Sequence, residues 1–115
     1  MLKVYDYLGE LMEWRMRRER FSGPRFTHFA GDIREMLEIQ EHREFEDAIQ
    51  RTIQTLQSLN IPFERNFKRV FRFNGEQMVA DWKVSPLAMY LIIINCDPVH
   101  ETVARAQLFF LMTQK

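Results

Sequence analysis

Phe67-Lys68-Arg69-Val70-Phe71-Arg72-Phe73-Asn74-Gly75-Glu76-Gln77-Met78-Val79-Ala80-Asp81-Trp82-Lys83-Val84 is the stretch whose reading decides the fold. Two alternating segments, Phe67–Phe73 and Glu76–Val84, flank Asn74-Gly75. Asn-Gly suits a type I′ turn, in which both central residues need positive φ, so the stretch predicts a two-residue β-hairpin. That turn sets Phe71 opposite Met78 and Phe67 opposite Trp82 on an apolar face. The other face pairs Arg72 with Gln77, Val70 with Val79 and Lys68 with Asp81, and is mostly polar.

Helical signals surround the hairpin. Downstream, Ser85-Pro86 pairs an N-cap with proline at the first helical position. Leu87 through Ile94 is apolar all round, which predicts a central, buried helix. Asp97-Pro98 repeats the cap-then-proline signal and predicts the start of the last helix. Val99, Val103, Ala106 and Phe110 form its core stripe, and Leu108, Phe109, Leu111 and Met112 widen it beyond one face. Upstream, Gly31-Asp32 opens a helix with Asp32 as cap and Glu35 at the capping-box position, and Ile33, Met36 and Leu37 face the core. The chain changes direction near Gln40 to His42. A longer helix follows with Phe45, Ala48, Ile49, Ile53 and Leu56 on one stripe, fading around Ser58 to Pro62. At the N-terminus, Met1, Val4, Tyr5, Leu8, Leu11, Met12 and Met16 recur at helical spacing, predicting an amphipathic helix over 1–22 that ends at Ser22-Gly23-Pro24 and docks on the core or on a second copy.

The expected architecture is therefore α+β: a mostly helical single domain over 1–115, with about five helices and one antiparallel β-hairpin. Its 115 residues fit one domain able to bury a core without staples. Cys96 is the only cysteine, which excludes an internal disulfide and a multi-cysteine zinc site. No secretory signal pattern opens the chain and no apolar run is long enough to span a bilayer, so a cytoplasmic location away from the membrane is expected. The 16 Lys and Arg balance 16 Asp and Glu, which counts against strong nonspecific nucleic-acid binding but leaves room for a local basic surface.

Residues 82–98, Trp-Lys-Val-Ser-Pro-Leu-Ala-Met-Tyr-Leu-Ile-Ile-Ile-Asn-Cys-Asp-Pro, then Val103-Ala104-Arg105-Ala106-Gln107-Leu108-Phe109-Phe110, carry a recognisable pattern. A Ser-led helix runs through Ala and Tyr-Leu-Ile to an Asn-x-Asp-Pro break, and a Val-Ala-x-Ala-Gln-x-aromatic-Phe helix follows. This resembles the bacterial DNA-damage-inducible protein D family, itself similar to the BRO N-terminal, phage antirepressor-like domains. The likeness spans 28–115, is specific within 82–110, and extends by spacing to Phe29–Leu56. Pro86 stands where the family often has Arg, Phe109 where it often has Tyr, and 1–22 has no counterpart. Longer members continue past this point, which leaves open that the chain is the N-terminal piece of a longer protein. The resemblance implies a DNA-linked role without enzymatic activity, in the DNA-damage (SOS) response or in phage and mobile-element regulation. The matched residues read as structural: Asn95, Asp97 and Pro98 make a helix–helix corner, and Tyr90 and Gln107 satisfy polar contacts near the core.

Two basic clusters are the candidate nucleic-acid contacts. Arg15, Arg17, Arg18, Arg20 and Arg25 could grip phosphates, since guanidinium matches phosphate oxygens bidentately; with Glu13 and Glu19 among them, the favoured reading is a solvated, salt-bridged helix end. Arg65, Lys68, Arg69 and Arg72 belong to the hairpin and its approach, with Lys68 and Arg72 on the outer face, where a two-stranded ribbon could meet a backbone or groove; the other reading is a plain solvated face. The interleaved Phe71 and Phe73 read as core. Residues 32–47 are acidic and suit a basic partner. Glu38, Glu41 and His42 lack a second His at metal-ligand spacing, so no metal or cofactor is expected. There is no phosphate loop and no nucleophile elbow, and Cys96, beside Asp97, reads as a small buried hydrophobe. The leading expectation is DNA binding; the alternative is a protein-interaction module acting on a DNA-bound regulator or repair protein. The surplus apolar residues of the terminal helices add an expectation of a homodimer.

Overall fold

The computed structural model describes residues 26–113. Within them a three-stranded antiparallel sheet and four α-helices share one core, so the fold is α+β. The order is β1 (His28–Phe29), α1 (Ala30–Met36), α2 (His42–Ser58), a 3-10 turn (Phe63–Arg65), β2 (Phe67–Phe73), β3 (Met78–Val84), α3 (Pro86–Asn95) and α4 (Glu101–Thr113). The expected helix over 1–22, with its arginines, lies outside the described residues.

The hairpin forms, but its register differs from the one a two-residue turn dictates. Phe73 pairs with Met78, Phe71 with Ala80 and Phe67 with Val84, a shift of two residues on one strand. Asn74 explains the shift. Its side-chain oxygen accepts the N–H groups of Glu76 and Gln77 at 2.9 and 3.0 Å, and its own N–H bonds to the Gln77 carbonyl. This closes a four-residue loop in which Gly75 alone has positive φ, +100°. Because the shift is even, every side chain keeps its face and only the cross-strand partners change.

β1 is too short to leave an alternating pattern. It adds to the other edge of β3, pairing His28 with Val84 and Phe29 with Lys83, and gives the order β1-β3-β2. α1 begins directly at Ala30, with Phe29 at the cap position and no side-chain cap, so Asp32 is a first-turn residue and not the N-cap. Ile33 and Leu37 are buried as expected, whereas Met36 is exposed.

Both long connections leave a helix through the same device. Glu38 and Asn60 take left-handed φ of 58° and 56°. The N–H of Ile39 bonds to Arg34 O and that of Glu38 to Glu35 O; the N–H of Ile61 bonds to Leu56 O and that of Asn60 to Gln57 O. These are two Schellman closures, each followed by a buried isoleucine, Ile39 or Ile61.

α3 is the central helix. Ser85 caps it, its hydroxyl accepting the Ala88 N–H at 3.1 Å, and Pro86 takes the first helical position. Leu87, Ala88, Ile92 and Ile93 are buried, though Ile94 is exposed. They meet Phe45, Ala48, Ile49 and Leu56 of α2, with Val84, Phe67 and Val103 closing the core. Each fully buried Val, Leu, Ile or Phe side chain among them contributes about 1.5–3 kcal/mol relative to exposure. The Asn95–Pro98 corner holds through side chains: Asn95 Nδ2 donates to Thr52 Oγ1 and Leu91 O, Asp97 Oδ1 accepts the Val99 N–H, and Gln107 Nε2 donates to the carbonyls of Ile93, Ile94 and Cys96. α4 starts only at Glu101, because Asp97 caps a turn and not the helix, so Val99 is exposed and lies outside the core stripe.

No helix among the described residues is long and apolar enough to cross a membrane.

Candidate nucleic-acid interface

Strand alternation gives the hairpin two faces. One carries Phe67, Arg69, Phe71 and Phe73 of β2 beside Val84, Trp82, Ala80 and Met78 of β3. Its base belongs to the core. The Phe67 ring stacks on Phe63 with centroids 5.1 Å apart, and Trp82 stands edge-on to both at 5.6 and 5.7 Å. The Arg69 guanidinium lies 4.7 Å from the Trp82 ring centroid. Beyond Arg69 this face is left uncovered: Phe71 and Phe73 are each 66% exposed, with Met78 at 59%. The expectation that these two aromatics belong to the core is corrected. Alternation identifies their face but not where the supporting layer ends.

The second face carries Lys68, Val70 and Arg72 beside Lys83, Asp81 and Val79. Lys68 sits directly opposite Lys83, so two like charges meet, and Lys83 Nζ lies 5.5 Å over the Phe29 ring. Arg72 is engaged within the fold. It donates to Asp32 at 2.9 Å and Asp81 at 3.1 Å and covers the Phe29 ring at 4.0 Å. The hydrogen bond to Asp32, then that to Asp81, raises its pKa above the ordinary arginine value. Arg65 is exposed at the end of the 3-10 turn.

The four hairpin cations are thus gathered on one ribbon but divided between its faces. Lys68 and Arg72 share one face, Arg69 takes the other, and Arg65 stands at the foot. Arg15, Arg17, Arg18 and Arg20 lie outside the described residues. Lys83 was missed by the sequence reading; its pairing with Lys68 needs the true register.

The outer edge of β3 is guarded. Asp81 Oδ1 accepts the N–H groups of Gly31 at 3.0 Å and Trp82 at 2.7 Å, which ties the start of α1 to the strand and blunts its unpaired edge. Beside it lies a cavity of about 530 Å³ between β3 and the helices, lined among others by Arg34, Phe45, Arg69 and Trp82. Arg34 is spent on the carbonyls of Ile39 and Gln40. Among the described residues no group of three or more His, Cys, Asp or Glu is placed to hold a metal. Cys96 is buried, and burial first, then the charge of Glu44, pushes its thiol up to about 11.

No protein-family model matches the chain, no curated protein matches it and no solved structure matches it.

Proposed function

We propose that this chain is a non-enzymatic nucleic-acid-binding domain whose contact element is the β2–β3 hairpin. The observation that carries the reading is the exposure of Phe71 and Phe73 on one strand face next to Arg69. Residues two apart on a strand are about 7 Å apart. Aromatic rings held at that spacing on a basic ribbon suit base stacking, worth about 1–3 kcal/mol per base. Lys68 and Lys83 on the opposite face, and Arg65 at the foot, add positive charge around the ribbon that would attract phosphates. The likeness to the DNA-damage-inducible protein D and BRO N-terminal families favours DNA as the target, in a DNA-damage response or in phage or mobile-element regulation.

Fluorescence anisotropy with labelled single- and double-stranded DNA, titrated from low to physiological salt, tests the reading. Binding that weakens steeply with salt, and weakens further in Phe71→Ala and in Arg69→Ala, is the expected result. No binding at low salt removes DNA as the ligand.

One observation favours a protein partner. Asp32, Glu35, Glu38, Glu41 and Asp47 are all exposed on α1, α2 and the turn between them, a surface suited to a basic protein such as a DNA-bound regulator or repair protein. Recovery of a defined partner after nuclease treatment, lost on reversing Glu35 and Glu38 to Lys, is the outcome that supports it.

A further inference from the structure

The cavity beside β3 opens onto an unpaired stretch of strand edge. Thr27 donates its N–H to the Val84 carbonyl on the side of β3 away from β2. Alternate residues of an antiparallel strand face the same neighbour, so the N–H and C=O groups of Trp82 and Ala80 point to that side too. β1 reaches only as far as Lys83, and Asp81 takes the Trp82 N–H. Ala80 is the next outward-facing residue and lines the cavity, and among the described residues no strand meets its N–H and C=O. Phe71 sits directly opposite Ala80, and Arg69, two residues before Phe71, lines the same cavity, so the space adjoins the exposed aromatics of the hairpin. We propose that the cavity seats one unpaired base of a DNA single strand, a base bearing an exocyclic amino group, while Phe71 stacks the neighbouring base; this rests on the hairpin being the nucleic-acid contact.

The lining matches a base better than a bare phosphate. Its volume of about 530 Å³ lies within the roughly 300–1,000 Å³ of small-molecule sites. Phe45 and Ile49 of α2 and the half-buried Trp82 give it apolar and aromatic walls. The Ala80 edge sets a backbone donor beside a backbone acceptor, and the Watson–Crick edge of a base offers the complementary pair. Two carboxylates line the space as well. Asp81 is filled by the N–H groups of Gly31 and Trp82 and by Arg72. Glu46 meets His42 at 3.4 Å and keeps lone pairs for a further donor. The amino group of cytosine or adenine supplies that donor, whereas thymine sets a carbonyl oxygen there and is repelled. Arg69 is exposed, with no carboxylate partner among the described residues, and is left for the phosphate. In a duplex the Watson–Crick edge is already paired, so the cavity selects single strands.

Fluorescence anisotropy of the full chain with labelled oligo-dC, oligo-dT of equal length and a duplex, all at one salt concentration, tests this. Oligo-dC should bind at least about tenfold more tightly than oligo-dT, the worth of one hydrogen bond to a charged acceptor. Glu46→Ala should abolish the preference. Ala80→Phe, which fills the cavity from an exposed strand position without changing any charge, should abolish it too. Phe71→Ala should weaken both oligonucleotides alike. A thermal melt shows which variants are folded, and either cavity variant suffices if the other is not. Salt-dependent binding that is equal for oligo-dC and oligo-dT overturns the cavity assignment and leaves the hairpin as the contact. A preference that survives in a folded Glu46→Ala or Ala80→Phe chain overturns it as well, as does a duplex bound as tightly as oligo-dC. Absence of binding to every DNA at low salt removes both readings.

Discussion

The carboxylate of Asp81 accepts the Gly31 N–H at 3.0 Å with one oxygen, and a Cβ at Gly31 would stand 2.8 Å from the other. Glycine at 31 lets helix α1 start against the sheet, and Asp81 holds it there. That carboxylate cannot swing aside freely, because Arg72 and the Trp82 N–H also bind it. Gly31→Ala should therefore destabilise by about 1 kcal/mol despite alanine's better helix propensity. In an Asp81→Ala background the clash is gone, and the same change should be neutral or stabilising by up to about 1 kcal/mol. Asp81→Ala alone should cost about 2–3 kcal/mol, since three donors lose a charged acceptor. Chemical denaturation of the four chains checks this; equal effects of Gly31→Ala in both backgrounds would count against the contact.

Ser85 joins a second set of obligations. Its hydroxyl donates to Asn66 Oδ1 at 2.6 Å and accepts the Ala88 N–H, and its backbone N–H bonds to Asn66 O at 3.0 Å. Both residues are essentially inaccessible to solvent. Ser85→Ala removes the cap of the central helix and leaves the Asn66 carbonyl without its donor, and should cost about 2–3 kcal/mol. Ser85→Thr, which keeps the hydroxyl, should recover part of that loss. A thermal melt of the three chains decides.

These two sites mark how far the sequence could be read. Ser85-Pro86 was legible because a cap followed by proline is a local signal with a local cause. The α2 stripe was legible because helical period exposes its buried face directly. The hairpin's existence was legible in Asn74-Gly75, but its register was not. Asn74 bonds two amides of the loop, and that choice between a two- and a four-residue turn lies in side-chain geometry. The turns at Glu38 and Asn60 were obscure for a related reason. Glycine is the usual marker of a left-handed cap, and here glutamate and asparagine take the conformation. At the candidate interface, composition identified Lys68, Arg69 and Arg72. It could not show that Arg72 is committed to Asp32 and Asp81, because those carboxylates reach it from α1 and across the sheet. Nor could it show that Phe71 and Phe73 are left exposed on a face whose base is buried.

Cys96 gives a pH dependence with a definite sign. Burial raises its thiol from 9.0 to about 11 in the folded chain. Between those values the unfolded chain releases a proton that the folded chain retains. Stability is therefore fully present below about pH 9 and falls as pH climbs towards about 11, by about 2–3 kcal/mol from this group. Cys96→Ala should flatten that part of the profile. Urea midpoints measured from pH 8 to 11 on both chains test it, and parallel profiles would exclude the thiol as the cause.

Lys68 and Arg72 sit four residues apart on the same face of β2, yet substitution should separate them. Arg72 bridges Asp32 and Asp81 and covers Phe29, whereas Lys68 is exposed beside Lys83. Arg72→Ala should cost about 1 kcal/mol of stability, a modest figure because the guanidinium is partly solvated. It should leave the salt dependence of DNA binding unchanged. Lys68→Ala should leave the melting temperature in place and lower the slope of log affinity against log salt by about 0.7–0.9, the loss of one phosphate contact. The like charge on Lys83 argues against any loss of stability, since removing Lys68 relieves repulsion in the folded chain and offsets the loss of its packing. Anisotropy across a salt series and a thermal melt of each variant give both readouts. A lower slope in Arg72→Ala with its stability intact would reverse the assignment and make Arg72 a phosphate contact.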